Sequence, residues 1–232
     1  FSSQIICVSN GVKNDLEKLG VKKSKLKVIL NPVDIHSELS DHDEYDQHSL
    51  NWKDFTGIKI LSVGNLRINK NYPNLFKALK VLRDKYNQDF ISLIAGDGPE
   101  KESLKALITE YSLDDHVILL GGVQDTESLY RNADLFVLSS DYEGFGMVLV
   151  EALGYGKTIV TTDCESGPRE ILGNSEYGYL CSVDNPERLA ESIYKAYLNK
   201  LSPDILLKRY KDFDISLIGK KYLSLMQEMI SG

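Results

Sequence analysis

Short apolar runs alternate with longer amphipathic runs along most of the chain. The apolar runs are rich in Val, Ile and Leu at successive positions, which is typical of strands that are covered on both faces of a sheet. The amphipathic runs carry apolar residues at helical spacing. This alternation predicts an α/β fold in which helices flank an open parallel sheet.

The pattern divides the chain into predicted elements. Strands are predicted at 4–9, 26–34, 58–66, 90–98, 117–123, 133–140, 158–163 and 178–183. Helices are predicted at 12–20, 73–86, 100–112, 125–133, 141–156, 167–172, 186–199, 203–211 and 214–229. Residues 36–57 are polar and without periodicity, which predicts a linker. Residues 58–213 are therefore the predicted main domain, with a Rossmann-like sheet.

Composition and charge exclude several classes of protein. The chain has 232 residues, of which 42% are hydrophobic and 26% charged, as in ordinary globular proteins. A net charge of −7 argues against a nucleic-acid partner, because phosphate backbones are bound by clustered Lys and Arg. No apolar run approaches the ~18 residues of a membrane span. Three widely spaced cysteines (Cys7, Cys164 and Cys181) indicate free thiols in a reducing compartment.

Glycines and cations follow several of the predicted strands. In open α/β sheets, ligands bind beyond the carboxyl ends of the strands, so these loops are the place to look for chemistry. The loops at 62–72, 95–100 and 121–125 carry Gly64, Arg67, Lys70, Gly96, Gly98 and Val123. Glycines at helix N-termini favour anions, because free N–H groups and the helix dipole both point at the ligand.

The stretch "DYEGFGMVLVEALGYG" (141–156) places two glutamates eight residues apart around two glycines. Gly144 and Gly146 would let the backbone approach a phosphate closely. Glu143 precedes the helix, and Glu151 lies about two turns into it, where helical side chains lean back toward the N-terminus. Carboxylates accept hydrogen bonds from diols, so a sugar and a ribose on either side of a phosphate fit this pattern.

The segment "EGFGMVLVE" resembles the E-x7-E motif of retaining glycosyltransferases with the GT-B fold, in the large family 4 (group 1). The segments "VGNLRINKNYPNLFKAL", "IAGDGPEKESL", "VILLGGVQDTESLYRNADLFVLSS" and "GYGKTIVTTDCESGPREIL" are similar to that family's motifs and follow its order. The resemblance covers nearly the whole chain. It implies that the chain is the C-terminal, donor-binding half of such an enzyme.

The resemblance also implies roles for individual residues. Lys70 and Glu143 would be the catalytic residues: Lys70 would contact the diphosphate and stabilise the leaving group, and Glu143 would bind hydroxyls of the transferred sugar. Glu151 would bind the ribose, and Val123 would lie near the base. The remaining donor-binding candidates are Gly64, Asn65, Arg67, Gly96, Gly98, Gly144, Phe145, Gly146 and Met147. The family usually has arginine where this chain has Asn65, and Arg67 is the candidate to supply that charge.

The domain organisation implied by the resemblance has four parts. Residues 1–35 would be the end of an N-terminal acceptor domain and its hinge, 36–57 the linker, and 58–213 the nucleotide-sugar domain. Residues 214–232 would be a helix that crosses back onto the acceptor domain. The chain has no initiator Met and its first strand-like run begins almost at once, which suggests a piece of a longer protein.

The implied reaction is transfer of a sugar from a UDP-sugar, with UDP-N-acetylhexosamine or UDP-galactose favoured, to a glycan or lipid-linked acceptor in polysaccharide biosynthesis. The configuration of the sugar would be retained. No cofactor and no metal are expected, because the departing diphosphate would be stabilised by N–H groups and cations. The expected location is the cytoplasm, with the full-length protein peripheral at the inner face of the membrane through its missing domain.

Other interpretations of the same residues stay open. Glu143 and Glu151 alone would also suit a capping carboxylate and a solvated helix position, and Val123 would suit ordinary core packing. His36, His42 and His48 recur among aspartates, but a polar linker is a poor place for a metal site. Cys164 lies near the predicted site, yet no histidine base is close in sequence.

Other functional classes also remain. A non-catalytic module that binds a nucleotide sugar, a UDP-sugar epimerase and a phosphorylase would share this architecture. A dinucleotide-dependent dehydrogenase is disfavoured, because no G-x-G-x-x-G follows the first strand.

Overall fold

The computed structural model of the chain describes residues 4–35, residue 52 and residues 54–231. Its strands are β1 (Ile5–Cys7), β2 (Leu26–Val28), β3 (Ile58–Val63), β4 (Phe90–Ala95), β5 (Val117–Gly121), β6 (Leu135–Leu138), β7 (Thr158–Thr162) and β8 (Tyr179–Cys181). Its α-helices are α1 (Asn10–Lys18), α2 (Tyr72–Tyr86), α3 (Lys101–Glu110), α4 (Glu127–Asn132), α5 (Met147–Gly154), α6 (Pro168–Ile171), α7 (Pro186–Leu198), α8 (Pro203–Tyr210) and α9 (Ile215–Ser231).

Six strands form one sheet in the order β5-β4-β3-β6-β7-β8, and every neighbouring pair is parallel. The predicted α/β class and the open, Rossmann-like parallel sheet are therefore confirmed. The strand order reverses between β3 and β6, so the sheet has a switch point there. At such a point the loops after the two strands diverge and leave a crevice at the carboxyl edge.

Two apolar layers cover the sheet, one on each face. Alternate residues of one strand point to opposite layers: Ile60 of β3 packs into the layer beneath α2 and α7, and Leu61 into the layer beneath α5. Every residue of β4, β6 and β7 is buried. Burial on both faces is why these strands read as continuous apolar runs instead of alternating ones.

The strands β1 and β2 pair with each other in a separate parallel sheet. Ile29, which follows β2, packs against Ile218 and Leu225 of α9. The Tyr210 hydroxyl donates to the carbonyl of Val33 at 3.0 Å and so ties this unit to the end of α8. The assignment of 1–35 to another domain, and the four domain boundaries, stay predictions.

The predicted elements differ from the observed ones mainly at their ends. The strand predicted at 90–98 ends at Ala95, because Gly96 adopts a positive φ of 153° that breaks the ladder. The helix predicted at 141–156 starts only at Met147, because Gly146 takes a left-handed conformation with φ 95°. Most of the predicted linker and His36, His42 and His48 lie outside the described residues.

Within the part of the chain that the structure describes, no helix combines the length and the apolarity that crossing a bilayer requires.

Candidate functional site

The switch point between β3 and β6 brings Lys70 and Glu143 into contact. Lys70 ends a short 3-10 helix (Ile68–Lys70) in the loop after β3, and Glu143 lies in the loop after β6. The Lys70 Nζ lies 2.5 Å from the Glu143 Oε1, and the two side chains are only 15% and 10% exposed. Lys70 and Glu143 are 73 positions apart in the sequence, and the parallel pairing of β3 with β6 brings them together.

Serine hydroxyls fix both members of this pair. Ser140 donates to the Glu143 Oε1 at 2.7 Å, and Ser139 donates to the Lys70 carbonyl at 2.8 Å. The Thr162 hydroxyl at the end of β7 donates to the Ser140 carbonyl. The ends of β3, β6 and β7 are thus joined by hydrogen bonds, which holds the ammonium and the carboxylate in one place.

Tyr72 closes one side of the pair. Its hydroxyl donates to the Gly64 carbonyl at 3.0 Å. Burial, and then the nearby Glu143 carboxylate, raise the pKa of Tyr72 well above its usual value. The hydroxyl therefore stays protonated and continues to orient the loop after β3.

The glycines after β3 and β4 pack backbone against backbone. A Cβ on Gly96 would lie 2.0 Å from the Gly64 carbonyl oxygen, and one on Gly98 would lie 2.4 Å from the Leu66 carbonyl oxygen. Only glycine allows these approaches, so the two loops form one layer at the sheet edge. Their contact with a donor stays a prediction.

Asn65 and Arg67 are exposed on this layer. Among the described residues, neither side chain has a hydrogen-bond or ion-pair partner, so the Arg67 guanidinium is available to a ligand. That Arg67 replaces the family's usual arginine at Asn65 stays a prediction.

The loop before α5 is held by glycines and buried aromatic packing. Phe145 is buried and meets the Phe213 ring edge-on, with centroids 6.0 Å apart. A Cβ on Gly167 would lie 1.8 Å from the Phe145 carbonyl oxygen. Met147 opens α5 and is 45% exposed. The first N–H groups of α5 have no intrahelical acceptor by position, so they and the helix dipole favour an anion here.

Glu151 lies on α5, half-buried, beside Tyr130 of α4. The Tyr130 hydroxyl donates to the Glu151 Oε2 at 2.9 Å. Burial raises the pKa of Glu151, and the hydrogen bond from Tyr130 lowers it by less. No contact joins Glu151 to Glu143 among the described residues, and their separate roles toward a ligand stay predictions.

The raised pKa of Glu151 predicts a pH-dependent gain in stability for Glu151→Gln. An unfolded glutamate has a pKa of about 4.3, and the folded value lies higher, so the wild type loses stability as the pH rises between the two. The variant should melt at about the wild-type temperature near pH 4. By pH 7 it should melt at a higher temperature than the wild type, because glutamine avoids the cost of ionising a buried carboxyl group.

Thermal melting of both proteins from pH 4 to pH 8 measures this difference. Glu110→Gln, at an exposed position that ends α3, is the control and should show no pH-dependent gap. A Glu151→Gln protein that is less stable than the wild type at pH 7 would contradict the prediction that burying the charged Glu151 carboxylate lowers stability.

Val123 lies half-buried after β5 and packs against the apolar layer that contains α5. This contact agrees with the packing interpretation of the residue. A role near a base stays a prediction.

Several residues that shape the site were missed by sequence reasoning. Ser140 and Ser139 form a polar pair at the end of an apolar strand, a signal that could have been used. Tyr130 and Ser9 carry no comparable signal, because their contacts with Glu151 and Gly144 bridge 21 and 135 residues. Only the fold shows that they belong to the same region.

The three cysteines are poor candidates for a nucleophile. All three cysteines are buried and free. Burial raises the pKa of the Cys164 and Cys181 thiols to about 12, and that of Cys7 also rises, so none is a ready nucleophile. Across residues 4–35, 52 and 54–231, no group of three or more His, Cys, Asp or Glu is placed to hold a metal ion.

Known relatives match most of the chain. An N-acetylgalactosamine-N,N'-diacetylbacillosaminyl-diphospho-undecaprenol 4-alpha-N-acetylgalactosaminyltransferase of Campylobacter jejuni is 32% identical over 205 residues, which are 88% of this chain and 52% of that protein. The amylovoran biosynthesis glycosyltransferase AmsD of Erwinia amylovora is 30% identical over 71% of this chain and 46% of its own length. The chain spans about half the length of these curated relatives.

Solved structures share the fold. A glycosyltransferase from Rickettsia africae superposes with a TM-score of 0.86 at 22% identity, over 98% of this chain and 64% of that one. Anabaena HepE, solved in complex with UDP and glucose, superposes with a TM-score of 0.84 at 24% identity, over 98% of this chain and 64% of that one. At these identities the likeness shows the architecture alone, a parallel sheet flanked by helices as in glycosyltransferases with the GT-B fold.

A family model described as "Glycosyl transferases group 1" matches residues 48–213. These residues include both glutamates of the E-x7-E stretch, Lys70 and the switch point between β3 and β6. The chain therefore belongs to the group 1 glycosyl transferases.

Proposed function

We propose that the chain is the donor-binding half of a retaining glycosyltransferase that takes a sugar from a UDP-sugar. The observation that supports it most directly is the buried Lys70–Glu143 pair at the switch point, 2.5 Å apart. Beside it in sequence lies the N-terminus of α5, and Glu151 occupies the same helix. An ammonium, a helix N-terminus and two carboxylates suit a ligand that is a diphosphate with a sugar on each side.

Each group has a distinct chemical task in this proposal. The first N–H groups of α5 and the Lys70 ammonium bind the diphosphate and stabilise the charge that develops on it as the sugar departs. Glu143 accepts hydrogen bonds from hydroxyls of the transferred sugar, and Glu151 accepts them from the ribose. Because Lys70 already neutralises Glu143, the carboxylate can sit beside a diphosphate without strong repulsion. No metal is needed in this scheme.

The names of similar proteins support the donor class. HepE was solved with UDP and glucose, and the pneumococcal O-GlcNAc transferase GtfA with UDP and GlcNAc. Campylobacter relatives are named as N-acetylgalactosaminyltransferases of undecaprenol-linked substrates, and a Salmonella relative as a lipopolysaccharide 1,6-galactosyltransferase. We therefore favour UDP-N-acetylhexosamine or UDP-galactose as donor and a glycan or lipid-linked acceptor. Acceptor binding and turnover would belong to the full-length protein.

A calorimetric titration of this chain tests the donor site. UDP is expected to bind more tightly than GDP or ADP, and one UDP-sugar of a panel more tightly than the others. Glu151→Gln removes the carboxylate charge and should weaken UDP binding by roughly 1.5–3 kcal/mol, the worth of a hydrogen bond to a charged group. Glu110→Gln makes the same chemical change at an exposed position and should bind like the wild type.

The alternatives make different predictions for the same titration. Binding of UDP that is insensitive to Glu151→Gln would remove the ribose role. A non-catalytic module would bind the donor yet leave the full-length protein inactive, and an epimerase would convert the UDP-sugar without an acceptor.

A further inference from the structure

The unit formed by residues 4–35 contacts the loop that carries the candidate donor site. The Ser9 hydroxyl donates to the Gly144 carbonyl at 2.9 Å, and Ser9 is fully buried, at 0% exposed. The same oxygen accepts from the Val12 N–H at 3.1 Å, which makes Ser9 the N-cap of α1. One hydroxyl thus joins the start of α1 to the residue that follows Glu143.

Glu170 of α6 holds the start of α1 in place. Its carboxylate accepts from the Asn10 Nδ2 at 2.7 Å and from the Gly11 N–H at 3.1 Å. A carboxylate at a helix N-terminus is also favoured by the helix dipole. A Cβ on Gly11 would lie 2.2 Å from the Ser166 Oγ, so glycine allows this close approach. The position of Ser9 is therefore set by the loop after β7.

The hydrogen bond from Ser9 to the Gly144 carbonyl determines the orientation of the peptide group between Gly144 and Phe145. The described chain has no cis peptide bond, so the Gly144 carbonyl and the Phe145 N–H lie in one plane and point in opposite directions. Residue 144 is a glycine, which reaches backbone conformations that other residues rarely adopt, so the residue itself does not fix the orientation of the following peptide. Once Ser9 binds the carbonyl, the N–H faces away from α1.

We propose that Ser9 is a positioning residue of the donor site, whose hydroxyl turns the Gly144–Phe145 peptide so that the Phe145 N–H donates to the bound diphosphate. The inference rests on the proposed function and deepens it. Glu170 supports the arrangement by holding α1. Residues 4–35 therefore contribute to donor binding through a hydrogen bond to the loop, without touching the donor.

The test compares UDP with uridine on this chain, because their difference in affinity isolates the diphosphate. Ser9→Gly removes the hydroxyl, and glycine is itself an accepted N-cap, so α1 is retained. The expected result is a loss of UDP affinity of about tenfold, with uridine affinity unchanged. Ser24→Gly, at an exposed serine of the same unit, should leave both affinities as they are.

The outcomes separate this inference from the proposed function. A wild type that binds UDP no more tightly than uridine would overturn both. A wild type with a clear preference for UDP that Ser9→Gly retains would overturn the positioning role alone. Equal losses of UDP and uridine affinity would show a structural effect and would also overturn it.

A spectroscopic measurement reports on the peptide itself. Gly144–Phe145 is the only Gly-Phe pair in the sequence, so carbonyl-13C glycine with 15N phenylalanine labels a single amide. We expect this resonance to shift when UDP, but not uridine, is added to the wild type, and the UDP-induced shift to be lost in Ser9→Gly. The same UDP-induced shift in both proteins would contradict the proposal.

Discussion

Lys70→Met in the full-length protein is expected to slow glycosyl transfer by roughly 10²–10³-fold, the usual cost of removing one group that stabilises a developing negative charge. The ammonium lies at the switch point of the sheet, 2.5 Å from the Glu143 carboxylate. Without it the departing diphosphate loses the cation that is paired with Glu143. The measurement is the rate of sugar transfer at saturating donor, so that a weaker donor affinity does not enter.

The same substitution should also lower stability, because Glu143 is left as a buried and unpaired charge. We expect a loss of about 3 kcal/mol in the free energy of unfolding. Adding Glu143→Gln should restore much of that stability and none of the activity. Lys80→Met is the matched control, since it breaks an exposed ion pair whose side chains are 47% and 46% exposed. It should cost less than about 1 kcal/mol. Normal turnover in Lys70→Met would remove the leaving-group role.

Gly167→Ala is expected to destabilise the chain by about 3 kcal/mol or more, the combined cost of a forbidden backbone conformation and a steric clash. Gly167 has φ 85° and ψ −66°, where residues with a Cβ are strained. The added methyl group would also lie 1.8 Å from the Phe145 carbonyl oxygen. A fall of ~6–12 °C in melting temperature would follow for a chain of this size.

Gly144→Ala provides the control within the same loop. A Cβ there would meet nothing within 4 Å, and its backbone φ is not positive. The variant should melt close to the wild type, so any loss of UDP binding would report on the binding loop and not on unfolding. Equal melting temperatures for Gly167→Ala and the wild type would show that the loop relaxes around the methyl group.

Local patterns were sufficient for the fold class. Strands such as β4 and β7 are buried at every position, so their apolar runs were unmistakable, and helices such as α2 and α7 have clear amphipathic spacing. Element ends were less accurate, because they depend on single backbone conformations. The helix α5 begins only after Gly146, because Gly146 has a left-handed backbone conformation. The sequence shows that residue 146 is a glycine, but it does not show the φ angle of that glycine.

The candidate site was predicted in part. Lys70, Glu143 and Glu151 could be selected because glycines and charged residues follow apolar strands there and because the E-x7-E spacing resembles a known motif. The residues that bind them could not be predicted. Tyr130 and Ser140 contact Glu151 and Glu143 through side-chain hydrogen bonds, and such bonds leave no periodic pattern in the sequence. For Arg67 the sequence shows the positive charge, but it does not show which group of a ligand the guanidinium would bind.

The sequence by itself determined the alternation of strands and helices, the family, and the carboxylates and cation of the candidate site. These properties rest on local spacing and residue chemistry, which do not change when the chain folds. Only the tertiary structure decided that Lys70 pairs with Glu143 and that Ser9 holds the Gly144 carbonyl. Both contacts join residues far apart in the chain, and their distances follow from strand order and packing, which no local pattern contains.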